Sequence, residues 1–290
     1  GRVKIQLVSE LFQRDKKIKP DPIRLSLGCP VLDSTLDGGI SPSGITEICG
    51  EAGVGKTQLL LRLLLTVQLP YSHGGLDGKA IFISAEGMPV RRLSQMAEYM
   101  IRHKYPGADT TVSEMMSSVF LHECQEANEL WDLLTYNVPI LMQQKKVKLV
   151  VLDSIAAVFR TEFGYTKQEF RERTLWLTSL SSKLRELSHK YGAAIVIANQ
   201  VSSSLNGELN PALGLTWSNC INSRIMLRKS EDITAVLTES TPTQTSKEPV
   251  SGVRVLPTRP RRLEIKFSPI HRETACSYVV EASGLTGVAS

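Results

Sequence analysis

The chain has 290 residues, 42% of them hydrophobic and 22% charged, with a formal net charge of +5, and these proportions exclude a disordered or collagen-like polymer. No uninterrupted apolar run approaches the roughly 18 residues of a membrane-spanning helix, and the first residues lack the apolar core of a signal peptide, so neither insertion nor secretion is expected. Cys29, Cys49, Cys124, Cys220 and Cys276 are odd in number, scattered, and without C-x-x-C or Cys/His spacing, which points to free thiols in a reducing compartment.

The start, residues 1–22, reads as an arm with apolar Ile5 and Val8 ahead of a charged stretch. From residue 23 onward the length suits one large core. Strands are expected at Ile45 to Cys49, Ala80 to Ser84, Val119 to Glu123, Lys148 to Asp153 and Ala194 to Asn199. Amphipathic segments at Gln58 to Leu69, Val90 to Lys104, Glu126 to Gln144 and Gln168 to Tyr191 alternate with them as helices. That alternation predicts an α/β fold whose central sheet is mainly parallel and covered on both faces. The most apolar stretch, "LLLRLLLTVQL", is interrupted by Arg62 and reads as a buried helix.

Beyond Asn199 the pattern changes to shorter strands at Ile221 to Lys229, Arg261 to Phe267 and Cys276 to Ala282, expected as an antiparallel or mixed C-terminal extension. Residues 238–260, rich in Ser, Thr and Pro, read as a mobile insertion. From Arg254 to Arg272 six basic residues stand against Glu264 alone, equivalent to the whole net charge. Phosphate contact and a solvated arginine-rich loop both remain open readings of this segment.

The chemistry concentrates in "ITEICGEAGVGKT". Gly50, Gly55, Lys56 and Thr57 fill the pattern G-x-x-x-x-G-K-[ST] between an expected strand and an expected helix. Glu51, Ala52, Gly53, Val54 and Gln58 complete the stretch whose backbone N–H groups would cradle phosphates at a helix N-terminus. Lys56 would reach the β- and γ-phosphates and the Thr57 hydroxyl would ligate Mg²⁺. Asp153, ending the apolar strand "KLVVLD", suits a carboxylate that holds Mg²⁺ through water. Glu86 ends "AIFISAEG" and would orient an attacking water, the alternative being a cap on the turn before Pro89. Asn199 and Gln200 are expected beyond a strand end, where an amide can sense the γ-phosphate.

A phosphate loop, a strand-end Glu, an apolar strand ending in Asp and a strand-end Asn-Gln, in this order, resemble the RecA-type recombinase core, in particular the eukaryotic Rad-type recombinases and their paralogues. "LDSTLDGGISPSGITEICGEAGVGKTQ", "LVVLDSIAAVFRTEF" and "IVIANQV" carry the resemblance, which covers nearly the whole chain. It implies Mg²⁺ and ATP at an interface between neighbouring protomers, with Lys56, Thr57, Glu86, Asp153 and Gln200 at matching positions. Arg92 would pack on adenine. Arg160 falls at the first DNA loop, which continues with Lys167, Arg171 and Arg173 as DNA-binding candidates. Ile5 and Val8 resemble a polymerisation segment, for which an N-terminal strand packed on its own core is the alternative. Ser268 and Pro269 resemble an ATP cap facing a neighbour.

Departures from the family pattern bear on function. The second DNA loop, Val201 to Leu209, has no Lys, Arg or aromatic residue, and Phe267 stands where recombinases carry Asp. The resemblance therefore implies a recombination-repair paralogue, nuclear with a cytoplasmic pool as the second option, with weak, DNA-stimulated Mg²⁺-ATPase activity. It would form a heterodimer with another Rad-type paralogue, the C paralogue first among them, and assist recombinase filaments on single-stranded or branched DNA. The alternative is an autonomous DNA-dependent ATPase that forms its own strand-exchange filament.

Overall fold

The computed structural model describes residues 23–105, 110–160, 166–203, 209–230, 235–238, 254–257 and 260–288. The arm with Ile5 and Val8 lies outside them, as do the side chain of Arg160, residues 204–208 of the second DNA loop, and most of segment 238–260.

Nine strands form one path in the main sheet: β1 (Ile45–Gly50), β2 (Lys79–Ser84), β3 (Val119–Glu123), β4 (Val147–Asp153), β5 (Ala194–Ser203), β7 (Ser223–Lys229), β10 (Arg261–Phe267), β11 (Ala275–Glu281) and β12 (Gly284–Val288). Their order is β12-β11-β10-β7-β1-β5-β4-β2-β3, and β6 (Leu209–Pro211) pairs with β5 off that path. From β7 to β3 every pairing is parallel, while β10, β11 and β12 run antiparallel. The expected parallel core with a mixed C-terminal extension is present, and β7 is the strand where the two modes meet.

The strands hold together because each face buries apolar side chains with a period of two. On one face Ile48, Phe82, Val151 and Val196 pack with α2 (Lys56–Thr66) and α3 (Val90–Tyr99). On the other, Ile83, Val150 and Ile195 pack with α8 (Lys167–Tyr191) through Leu177, Leu180 and Leu184. A Thr166–Glu169 capping box starts α8, and Gly192 at φ 57° ends it in the left-handed region.

The expected helix at Glu126 to Gln144 forms as α5 (Ala127–Asp132), a π-helical turn at Leu133–Asn137, and α6 (Val138–Lys145). Pro139 sits in the first turn of α6, where its missing N–H costs nothing within that turn. Four short helices escape the periodic signal because each lasts under two turns: α1 (Pro30–Thr35), α4 (Val112–Ser117), α7 (Ile155–Arg160) and α9 (Gly214–Ser218).

Arg62 is fully buried in α2, donating to the carbonyls of Ser283 at 2.6 Å and Gly28 at 3.0 Å. A Cβ on Gly28, whose φ is +72°, would lie 2.8 Å from Arg62 Nη2, so glycine is required against that guanidinium. At the edges of the expected insertion, β8 (Ala235–Thr238) pairs with β9 (Arg254–Pro257) as a separate antiparallel ribbon. No disulfide joins the five cysteines, and among the described residues no helix is long and apolar enough to cross a membrane.

Candidate nucleotide site

β1 delivers Gly50 to the C-terminal edge of the sheet, between Gln200 of β5 and Leu227 of β7. A Cβ at Gly50 would collide with the Leu227 carbonyl, so this glycine is set by backbone approach. The chain then turns through Gly53 and through Gly55 at φ +103°, which serves as the N-cap of α2. On Gly55 a Cβ would press Val280 Cγ2 at 3.2 Å, in addition to the left-handed strain. Tyr278 Oη donates to the Val54 carbonyl at 2.7 Å and ties β11 to the loop tip.

Within this turn Lys56 Nζ donates to the carbonyls of Gly50 at 2.7 Å and Glu51 at 2.8 Å. Burial pushes the Lys56 ammonium below its ordinary range, opposed by the nearby Asp153 carboxylate. Thr57 Oγ1 donates to Asp153 Oδ2 at 2.9 Å. Burial also raises the Asp153 carboxyl, the Thr57 hydrogen bond and Lys56 pull it down, and Glu86 adds a further upward push. Strands β2 and β4 pair Ser84 with Asp153, so Glu86, two residues past the end of β2, stands exposed beside the same edge. The Glu86 N–H donates to Ser84 Oγ at 3.2 Å, fixing the turn by its backbone and leaving the carboxylate outside that bond.

A cavity of about 380 Å³ opens over the loop from Gly53 to Gln58 and is closed by Arg92, Arg261 and Val280. Arg92 lines it, and its guanidinium donates to Gln58 Oε1 at 2.8 Å and to the Glu281 carbonyl at 2.7 Å. Arg261 was not singled out by its spacing, because its face is set only by pairing of β10 with β11.

Asn199 requires a correction. β5 runs on to Ser203, so Asn199 is not beyond the strand end; it is fully buried and donates to Glu47 Oε1 at 2.8 Å. Strand alternation then puts Gln200 on the opposite face, with α2 and the phosphate loop, level with Gly50. Of the amide pair, only Gln200 is paired in register with Gly50 of the phosphate loop.

Glu47 gathers a second cluster that the sequence pattern does not reveal. Trp217 Nε1 donates to its Oε1 at 2.9 Å and Arg224 Nε donates to its Oε2. Arg224 also reaches Ser218 Oγ at 2.9 Å and lies over the Phe267 ring at 5.1 Å. A register shift in β10 between Ile265 and Phe267 turns that ring toward the α8 face, which accounts physically for an aromatic residue here. Next to it, Ser268 Oγ bonds Ser223 Oγ at 3.0 Å and His271 Nδ1 at 2.9 Å. Arg24 can only donate to His271 Nε2, at 2.9 Å, so Nδ1 carries the proton and donates to Ser268.

Of the DNA-binding candidates, Lys167 and Arg171 project exposed from the first turns of α8, and Arg173 Nη2 reaches the Ala212 carbonyl at 3.5 Å. The structure brings these three to one helix end, and the Arg160 side chain lies outside the described residues.

A family model described as Rad51 matches residues 18–244. The chain is 34% identical to "DNA repair protein XRCC3 homolog" of Arabidopsis thaliana, covering 94% of this chain and 98% of that protein. It is 33% identical to "DNA repair protein XRCC3" of Mus musculus, covering 96% and 79%, and 36% identical to "DNA repair protein rhp57" of Schizosaccharomyces pombe, covering 72% and 69%. With the phosphate loop, the strand-end carboxylates and the parallel core in their expected places, the chain belongs to the Rad51 family.

Proposed function

We propose that this chain is an ATP-binding recombination-repair paralogue that acts in the nucleus. It pairs with another Rad51-family protein, the C paralogue being the first candidate, and assists recombinase filaments on single-stranded or branched DNA. The observation that carries the nucleotide part is the convergence of Lys56, Thr57 and Asp153 on one glycine-built turn at the mouth of the cavity. The DNA-repair part rests on the names of relatives that align over most of the chain.

The residues suit Mg²⁺-ATP. Gly50 and Gly55 leave backbone room that a Cβ would fill, the Lys56 ammonium is held by two carbonyls that phosphate oxygens can replace, and Thr57 with Asp153 offers two hard oxygen donors. Bound there, Mg²⁺-ATP supplies a polarised γ-phosphoryl group. Lys56 would then offset phosphate charge, Thr57 would ligate the metal, Asp153 would hold it through water, and Glu86 would accept a proton from a water at the sheet edge. Glu86 is exposed and unshielded within this single chain, so turnover by the isolated protein is slow and the nucleotide serves chiefly as a joint between protomers. Lys167 and Arg171 add phosphate contacts for DNA from the start of α8.

The test is purification of the chain alone and with the C paralogue, each with and without Mg²⁺-ATP. A discrete ATP-dependent complex, with slow turnover that Glu86→Gln abolishes, is the expected result. Regular filaments of the lone chain on single-stranded DNA, seen by electron microscopy with fast hydrolysis, would instead establish an autonomous recombinase.

A further inference from the structure

The basic C-terminal segment divides between the two faces of β10. On one face Arg262 and Lys266 reach the Glu264 carboxylate at 3.1 and 2.7 Å, joined by Arg228 from β7 at 3.5 Å. These charges answer one another. Alternation puts Arg261 on the other face with Leu263 and Ile265, both buried in the cluster that includes α2.

There Arg261 lines the 380 Å³ cavity together with Lys56 and Arg92. Two of these three cations are engaged, Lys56 by the loop carbonyls and Arg92 by Gln58 and Glu281. The Arg261 guanidinium has no hydrogen-bond or ion-pair partner among the described residues, and none of those lining the cavity is a carboxylate. Its position is fixed by Tyr278, directly across the β10–β11 pair, whose hydroxyl bonds the Val54 carbonyl of the loop. A half-buried guanidinium held beside an anion nest, with no counter-charge of its own, is matched by a phosphate oxygen.

We propose that Arg261 is a phosphate-contacting residue of the nucleotide site, supplied by the same chain that carries the phosphate loop. This rests on the reading of the cavity as a nucleoside triphosphate site. The β10–β11 pair thereby closes the phosphate chain from within one protomer, and retention of nucleotide depends less on a neighbour's cap.

The test titrates the full chain, with Mg²⁺, against fluorescent ATP and GTP analogues. Arg261→Ala weakens both analogues by about 10-fold, as expected for loss of a charge-assisted contact, and leaves the melting temperature without nucleotide within about 1 °C of the parent. Arg261→Gln, which keeps most of the side-chain volume, gives a similar loss, and Arg261→Lys recovers part of it. Arg262→Ala, on the opposite face, stays within about twofold. Parental affinity in Arg261→Ala or Arg261→Gln, while Lys56→Ala loses binding, overturns the role of Arg261 and leaves the nucleotide site standing. An equal loss in Arg262→Ala also overturns it, and a loss confined to the adenine analogue moves the contact from phosphate to base. Failure of the parent chain to bind either analogue overturns the site itself.

Discussion

Strand β1 passes through two charge clusters of opposite character. Around Glu47 the carboxylate is closed: it is fully buried, Oε1 receives Asn199 and Trp217, and Oε2 receives Arg224, although Asn199 Oδ1 itself finds no partner among the described residues. Three residues later, around Gly50, the charges are left open. Lys56 is held by two backbone carbonyls, Asp153 takes a side-chain hydrogen bond from Thr57 as its one such partner among the described residues, and burial disfavours the charged form of both. A buried ion pair whose two carboxylate oxygens are both hydrogen-bonded fixes a packing arrangement. Charges that are desolvated and only partly answered are poised for a ligand that completes them.

Glu47→Ala should break the closed cluster, because it strands Arg224 as an unpaired cation in the interior. Loss of one partner of such a pair costs about 3–5 kcal/mol, to be read by denaturant unfolding. Glu47→Gln, which keeps an acceptor, should cost less. An effect of Glu47→Ala under about 1 kcal/mol would show that water reaches Arg224 and that the cluster is not closed. Lys56→Ala should act in the reverse sense. Its expected effect is about a 100-fold loss in Mg²⁺-ATP affinity, the scale of charge-assisted phosphate contacts, with the unfolding midpoint nearly unchanged. If Lys56→Ala destabilised the chain as much as Glu47→Ala, the ammonium would be a structural tie between Gly50 and Glu51.

The contrast also explains what could be read from the sequence. The phosphate loop is local: glycine spacing, a preceding apolar run and a following helix occupy one contiguous stretch, and the structure reproduces β1 and α2 there to within two residues at each start. Asp153, the last residue of β4, and Glu86, two residues past β2, reach a common sheet edge because adjacent parallel strands end there. Glu47, Asn199, Trp217 and Arg224 come from four separated segments whose meeting depends on sheet order and register, which no local pattern encodes. Asn199 was misassigned for the same reason, since its face is decided by the continuation of β5 to Ser203. Phe267 showed as a departure from the family pattern, but its partner Arg224 did not, because a bulge in β10 sets where the ring points.

The smallest predicted effect is the one that most sharpens the distinction between closed and open. Burial raises the Asp153 carboxyl above its ordinary value of 3.8. An acid whose folded pKa lies above its unfolded one holds its proton longer in the folded chain, so stability falls as pH rises between the two values. At neutral pH the ionised Asp153 is therefore a cost to the folded chain without ligand. Asp153→Asn keeps an oxygen acceptor for the Thr57 hydroxyl and removes that charge. It should make the ligand-free protein more stable at pH 7 by at most about 1 kcal/mol, the scale of charge effects at partly solvated positions. The gain should vanish well below pH 3.8, where wild-type Asp153 is protonated in both states. The same substitution should abolish the Mg²⁺ dependence of ATP binding, so that stability and function move in opposite directions. A loss of stability at pH 7 would instead mean that Lys56 and Thr57 already answer the carboxylate, placing Asp153 with Glu47 among the closed charges.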